Sequence, residues 1–246
     1  MAHFKFTQIR RFMNVRGLAV LGTLVGLTAL GGCKLDDAVG PSNSQAIIQF
    51  INAAPRYSAV DLFVDSTSAI GGEAYGQGSS IYVNALATAR HFTVRSTGDT
   101  TVLATKDLIA ANQTVYSFIL TQHTTGAGLI VLPDTVSVPP DNKAGLRFVN
   151  ASPAAGLVDV YATDTDSSLA NATPIATDVA YEDVTNYQFV TPSPNLRVRL
   201  TTPNTHDVVL DIPEVSTIVP GQVNTIVVID ATSGELPLTW LAIPDR

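Results

Sequence analysis

Cysteine is nearly absent: the 246-residue chain has one, Cys33. No internal disulfide can form, so the fold has to be held by its cores. Cations are also scarce. Beyond residue 32 ten basic residues face 21 acidic ones, a net charge of −11. Such a surface repels phosphate backbones and carries no basic stripe, which excludes nucleic acid as a partner. Amphipathic helical periodicity is missing over any useful length.

The motifs of catalysis are missing too. Gly76-Gln77-Gly78-Ser79-Ser80 does not make the Gly-x-Ser-x-Gly elbow of a serine hydrolase. The glycines at 71, 72, 76 and 78 are followed by no lysine or helix that would complete a phosphate site. His91, His123 and His206 are not spaced as a ligand set. No enzyme activity and no cofactor are therefore expected. Asp159, Asp164 and Asp166 are weak candidates for a calcium ion, because calcium takes several oxygens from short acidic loops. They lack the glycine and the terminal glutamate of the known calcium loop, and an exposed acidic turn explains them without a metal.

What is present begins at the N-terminus. Lys5, Arg10, Arg11 and Arg16 precede an apolar run over residues 17–30. Fourteen residues are too few to span a bilayer as a helix, which takes about 20, so the segment reads as a secretory signal. Leu30-Gly31-Gly32-Cys33 resembles the bacterial lipobox, which implies cleavage before Cys33 and acylation of its thiol and new amine. Several acyl chains on one residue hold a protein to lipid durably. An ordinary cleaved signal followed by a free cysteine is the alternative. Lys34, rather than an aspartate, follows Cys33, and the resemblance to sorted Gram-negative lipoproteins then implies the outer membrane. Residues 33–45 form the lipidated cysteine and a polar, flexible tether.

Beyond the tether the sequence repeats itself. Phe50-Ile51-Asn52-Ala53-Ala54-Pro55 recurs as Phe148-Val149-Asn150-Ala151-Ser152-Pro153, and Val60-Asp61-Leu62-Phe63 recurs as Val158-Asp159-Val160-Tyr161. Ala74-Tyr75 matches Ala180-Tyr181, and Pro133-Asp134 matches Pro244-Asp245. The offset drifts from 98 to 111 residues, as it does when loops change length and strands do not. The expected organisation is a signal peptide (1–32), the tether (33–45), one domain (46–134), a stiff Pro-Pro connector (135–143) and a second domain (144–246), like two beads.

Within each bead the pattern is that of strands. Ile48 and Phe50 alternate with Gln49, and Leu146 and Phe148 alternate with Arg147, a period of two with one buried face. Residues 114–120 and 225–229 are more continuously apolar, as for central strands. Frequent turn clusters give about seven short strands per copy. The fold class is all-β: two tandem immunoglobulin-like antiparallel β-sandwich domains after a signal peptide and flexible tether, with a small barrel as the second reading of each copy.

The phrase Arg147-Phe148-Val149-Asn150-Ala151-Ser152-Pro153, then Val158-Asp159-Val160-Tyr161 and Ala180-Tyr181, resembles the bacterial domain-of-unknown-function family 4397 (DUF4397), in tandem copies within a lipoprotein. The resemblance implies a surface or secreted β-sandwich and brings no catalytic residues. Asn52 and Asn150, like Asp61 and Asp159, recur at matched places and read as turn-capping residues. Tyr75 and Tyr181 read as packing or corner tyrosines whose hydroxyls bond backbone, and with Trp240 they are the candidate ligand contacts. The expected function is a lipid-anchored cell-envelope protein whose two modules serve binding, adhesion or structural display. Its partners are the membrane, through the lipid, and a protein or glycan of unknown identity. A carbohydrate-binding accessory lipoprotein is the alternative, and an envelope hydrolase a weaker one. Ligand, oligomeric state and membrane face are not legible.

Overall fold

Alternating strands are expected to bury one face, but in the computed structural model the first strand of each half buries both. The structure describes residues 44–79, 82–134, 138–213, 218–232, 234 and 236–245; Cys33 and the rest of the signal and tether up to residue 43 lie outside them. The first half consists of β1 (Gln45–Asn52), β2 (Ala59–Val64), β3 (Thr67–Ala74), β4 (Gln77–Gly78), β5 (Val83–Leu86), β6 (Ala89–Ser96), β7 (Val102–Ile109), β8 (Val115–Gln122) and β9 (Ala127–Pro133). The second consists of β10 (Ala144–Asn150), β11 (Val158–Asp164), β12 (Ala176–Val179), β13 (Gln188–Val190), β14 (Leu196–Thr201), β15 (Val208–Ile212), β16 (Val223–Asp230) and β17 (Leu238–Pro244). One 3-10 turn, Leu169–Asn171, is the only helical element among the described residues.

Each half is a sandwich of two sheets, and the strand orders correspond. In the first half β4 and β5 both pair with β1, which leads on to β8 and β9, and this sheet faces β3-β2-β6-β7. In the second half β13-β10-β16-β17 faces β12-β11-β14-β15. The fold is therefore all-β, as the alternation implies. It departs from a purely antiparallel design at one pairing per half, because β1 runs parallel to β8 and β10 parallel to β16.

Ile48, Phe50, Leu62, Phe92, Phe118 and Leu120 fill the first core, with the Phe92 and Phe118 rings 4.4 Å apart. Leu146, Phe148, Val160, Leu200, Ile212 and Ile226 fill the second. Burial of each such side chain contributes about 1.5–3 kcal/mol. The repeated asparagines tie the corners of these cores. Asn52 Nδ2 donates to Tyr57 O and Glu73 O while its Oδ1 accepts from Ala54 N. Asn150 does the same with Gly156 O, Val179 O and Ser152 N. Asp61 and Asp159 also repeat their role, each accepting from the backbone N–H of a residue with positive φ on the neighbouring strand, Gly72 or Asp178.

A third core joins the halves. Ile51 and Ile119 of the first and Val149, Val227 and Ile229 of the second are buried together, with Leu132 and Ile243 beside them. These are the outward-pointing residues of β1, β8, β10 and β16. The halves consequently share a seam and fall within one compact unit, 43–246. Gln49 and Arg147, whose alternation places them on a solvent face, are each 6% exposed. They sit on the seam, on the face they share with Ile47, Ile51 and Val149.

Corresponding strand ends meet across the seam. At the starting ends of β1 and β10, Arg147 bridges the halves: Nη2 donates to Asp134 Oδ1 at 3.0 Å and lies 3.4 Å from Asp245 Oδ1. Its Nε donates to Thr225 Oγ1, and Tyr187 lies under the guanidinium at 4.8 Å and donates to Asp245 Oδ2. Ser117 Oγ donates to Asp134. One cation thus serves two buried carboxylates. Burial and the charge of Asp245 push the Asp134 carboxyl up to about 6, against the pull of Arg147 and Ser117.

An unfolded aspartate titrates near 3.9. Asp134 therefore favours folding in its protonated form, and this contribution is complete below about pH 4 and lost as the pH rises through about 6. Relative to Asp134→Asn, the wild type is expected to lose roughly 2–3 kcal/mol of unfolding free energy between these limits, at about 1.4 kcal/mol per unit. Denaturant titrations of both proteins across pH 4–7 check this, and a pH-independent difference would show that the carboxyl is not perturbed.

Candidate binding cleft

At the finishing ends of the same strands, two tyrosines cross the seam. Tyr75 Oη donates to Asp230 O at 2.7 Å, and Tyr181 Oη donates to Gln122 O at 2.5 Å. Partial burial raises both phenols, that of Tyr75 to about 12, so the hydroxyls remain donors. The surrounding backbone repeats as well. Gly76 N donates to Asn52 O where Glu182 N donates to Asn150 O. Arg56 N donates to Gln122 Oε1 where Ala154 N donates to Asp230 Oδ1. Two sites related by the repeat result, and they can be compared position by position.

The frame is shared and the side chains are not. One cleft holds Arg56, Thr121, His123 and Glu182; strand register and the repeat place Ala154, Ile229, Ala231 and Gly76 at these positions in the other. Thr121 Oγ1 donates to Glu182 Oε1, and His123 Nε2 is hydrogen-bonded to the same oxygen at 2.8 Å. Gly128 lies opposite Thr121 in register. A Cβ on it would stand 2.6 Å from Glu182 Oε1, His123 Nε2 and Thr121 Oγ1. In the other half, Thr239 lies opposite Ile229. The strand itself therefore accepts a side chain here, and the glycine makes room for the polar cluster.

The polar cleft has a volume of about 590 Å³ and is lined by Arg56, Gln122, His123, Thr124, Pro153, Tyr181 and Glu182. Arg56 Nη1 donates to Thr124 O at 3.4 Å, and among the described residues its other side-chain N–H groups meet no acceptor. Glu182 Oε2 likewise accepts from no described residue. The cleft thus offers a guanidinium fork and a carboxylate oxygen beside the partly buried ring of Tyr181, groups suited to binding a polar ligand. His123 and His91 are hydrogen-bonded to carboxylates, Glu182 and Asp107, whereas nucleophilic catalysis pairs a histidine with a hydroxyl or thiol.

Of the residues singled out in the sequence, Tyr181 lines this cleft and Tyr75 occupies the matching place in the other. Trp240 lies apart from both, partly buried against the second core. Asp159 Oδ1 accepts from Asp178 N, whereas Asp164 and Asp166 stand exposed near the end of β11. Among the described residues no three His, Cys, Asp or Glu side chains are grouped to hold a metal ion. His91 forms an exposed pair with Asp107 at 2.6 Å. Arg56, His123, Glu182 and Gly128 were not foreseen. Their signal in the sequence is a negative one, the positions at which two otherwise matching copies differ.

The model of a family described as a domain of unknown function (DUF4397) matches residues 46–161, from β1 to β11. No curated protein matches the chain. Among solved structures, one described as alpha-glucan binding by a streptococcal virulence factor is 7% identical, covering 74% of this chain and 92% of its own, with a TM-score of 0.25. A family 26 carbohydrate-binding module from Eubacterium rectale Amy13K, solved with maltoheptaose, is 13% identical, covering 80% and 96%, also with a TM-score of 0.25. Neither similarity is high enough to carry an argument about the fold or the ligand.

The side chains of His123 and Glu182 are 45% and 33% exposed, and such pairs contribute about 0–1 kcal/mol. His123→Ala and Glu182→Gln are accordingly expected to change the unfolding free energy by less than about 1 kcal/mol. Gly128→Ala, which crowds the cluster, is expected to cost about 1–3 kcal/mol. Urea denaturation measures all three. If His123→Ala or Glu182→Gln proved the most costly, the cluster would be a structural lock rather than a binding site.

Proposed function

We propose that the chain is a lipid-anchored protein of the cell envelope, built from tandem DUF4397-type domains, that binds a ligand in the cleft between them and catalyses no reaction. The observation that carries the binding role is the difference between the two repeat-related sites. A frame whose tyrosine crossings and flanking backbone contacts repeat bears the partly exposed Arg56, His123 and Glu182 on one side where Ala154, Ala231 and Gly76 stand on the other, so the cluster answers a demand other than folding. The basic and apolar N-terminus, the lipobox-like residues before Cys33 and the polar tether support the anchor, and Lys34 supports the outer membrane.

The connectivity supports an outward-facing cleft. The tether joins β1 at its starting end, whereas the cleft lies beyond the finishing end of the same eight-residue strand, about 26 Å away at 3.3 Å per residue. A protein held by Cys33 at one end would present the cleft at the other.

Two measurements test the two parts separately. Cys33→Ser is expected to abolish incorporation of an alkynyl fatty acid and to move the protein from the membrane pellet to the soluble fraction; unchanged sedimentation would remove the anchor. A photo-crosslinking amino acid at Thr124, beside the polar cleft, is expected to give adducts on living cells that the same group at Thr232, its counterpart by the other cleft, does not. Equal or absent adducts would remove the binding role.

A further inference from the structure

Exposed apolar side chains are ordinary when scattered singly, but here they gather at the end of the molecule where the tether arrives. Eight large apolar residues are exposed among the described residues, and five of them surround the starting ends of β1 and β10. Leu86 pairs with Gln45, the first residue of β1. Ile109, 80% exposed, pairs with Ala89 close by. On the second half, Phe189 pairs with Gly145, Val219 O accepts from Gln222 N just before β16, and Val138, 87% exposed, lines a groove with Val223 and Pro244. The other three, Val102, Leu157 and Val184, lie elsewhere.

We propose that this end of the molecule, ringed by Leu86, Ile109, Val138, Phe189 and Val219, is a docking face for the lipid surface to which Cys33 is tied. The inference rests on the anchored reading and adds that the folded body itself touches lipid. The length and attachment of the tether select this occupant. Residues 34–44 are eleven in number, and a flexible chain of that length has a root-mean-square span of about 20 Å. Ala87 N, next to Leu86, donates to Ser44 O at the point where the tether joins the fold. The ring is thus held within a short diffusive reach of the membrane, where even weak insertion is favoured by effective concentration.

Each apolar side chain that enters the interface gains free energy in proportion to its buried area. Charge does not draw this face to anionic lipid, since Arg90, already paired with Asp65, and Lys143 stand at this end together with Asp107 and Asp141. The face is therefore suited to zwitterionic lipid. On this orientation the polar cleft points into the aqueous space.

The test uses the single cysteine. Residues 33–246, which retain the whole compact unit 43–246, are coupled through Cys33 to a maleimide lipid in phosphatidylcholine vesicles, so that the outcome does not depend on natural acylation. In a Trp240→Phe background, tryptophan is placed at Ile109, Val138 or Phe189, and separately at Thr124 near the cleft. Vesicles with brominated acyl chains are expected to quench the first three about twofold or more, because their apolar rings enter the interface, and to leave the fourth unchanged. Equal quenching at all four, or none at the first three in protein that floats with the vesicles, would overturn the docking face. Concentration-dependent dimers of the unlipidated protein, lost on Ile109→Lys or Val138→Lys, would assign the face to a second copy instead and equally overturn it.

Discussion

The seam between the halves is the constraint on which the remainder of the molecule depends. Ile51, Ile119, Val149 and Val227 are as deeply buried as the residues of either sandwich core. Separating the halves would expose the outer faces of β1, β8, β10 and β16 to water and leave Asp134 without the Arg147 cation it shares with Asp245. Two sandwiches that could in principle fold alone are thereby made into one body. The choice of side chains along the central strands follows: because both faces are covered, these strands are apolar on both, as in β8, where seven of eight residues are buried.

The seam is apolar in the middle and polar at its two ends, and the two polar ends do different work. At the starting ends one guanidinium is divided between two carboxylates, and the arrangement is tolerable because Ser117, Thr225 and Tyr187 donate to the second oxygens of the same carboxylates. Gln49, which takes the place of Arg147 in the first half, brings no second charge. At the finishing ends the bonds that repeat on both sides are neutral, tyrosine hydroxyl to backbone carbonyl, and one side adds the bonds of Thr121 and His123 to the Glu182 carboxylate. The buried charge is thus held at the starting ends, and the charge at the finishing ends is partly exposed.

Much of this was legible from residue patterns. The all-β class, the repeated phrases and the structural use of Asn52, Asn150, Asp61 and Asp159 follow from alternation and from turn chemistry, which are local. The seam did not follow, although one of its signals was present. Ile47 and Ile51 occupy the same face as Gln49, and Val149 the same face as Arg147, so the face read as solvent-exposed was already largely apolar. A single polar residue in each alternation, Gln49 or Arg147, gives that face its solvent-like appearance. The partnership of Arg147 with Asp134 and Asp245 is a contact between separate elements, invisible to any pattern within one strand. The cleft was less legible still, because Arg56, His123 and Glu182 come from three loops or strand ends and carry no motif.

The repeat also supplies a control that a single domain lacks. Whatever appears in both copies is accounted for by the shared fold, so Tyr75 and Tyr181 need no explanation beyond closing the seam, and their ligand role would have to be argued again from what surrounds each. Whatever appears in one copy alone is not required by that fold. Gly128 is the sharpest instance, since its counterpart Thr239 proves that a side chain fits the strand while Glu182, His123 and Thr121 leave no space for one. The crossing bond from Tyr181 to Gln122 would then serve the proposed binding as well as stability: it ties the wall carrying Glu182 to the wall carrying Arg56 and His123. A cleft whose walls belong to two sandwiches is held to one geometry by the same seam that joins them, which lowers the ordering cost a ligand would otherwise meet.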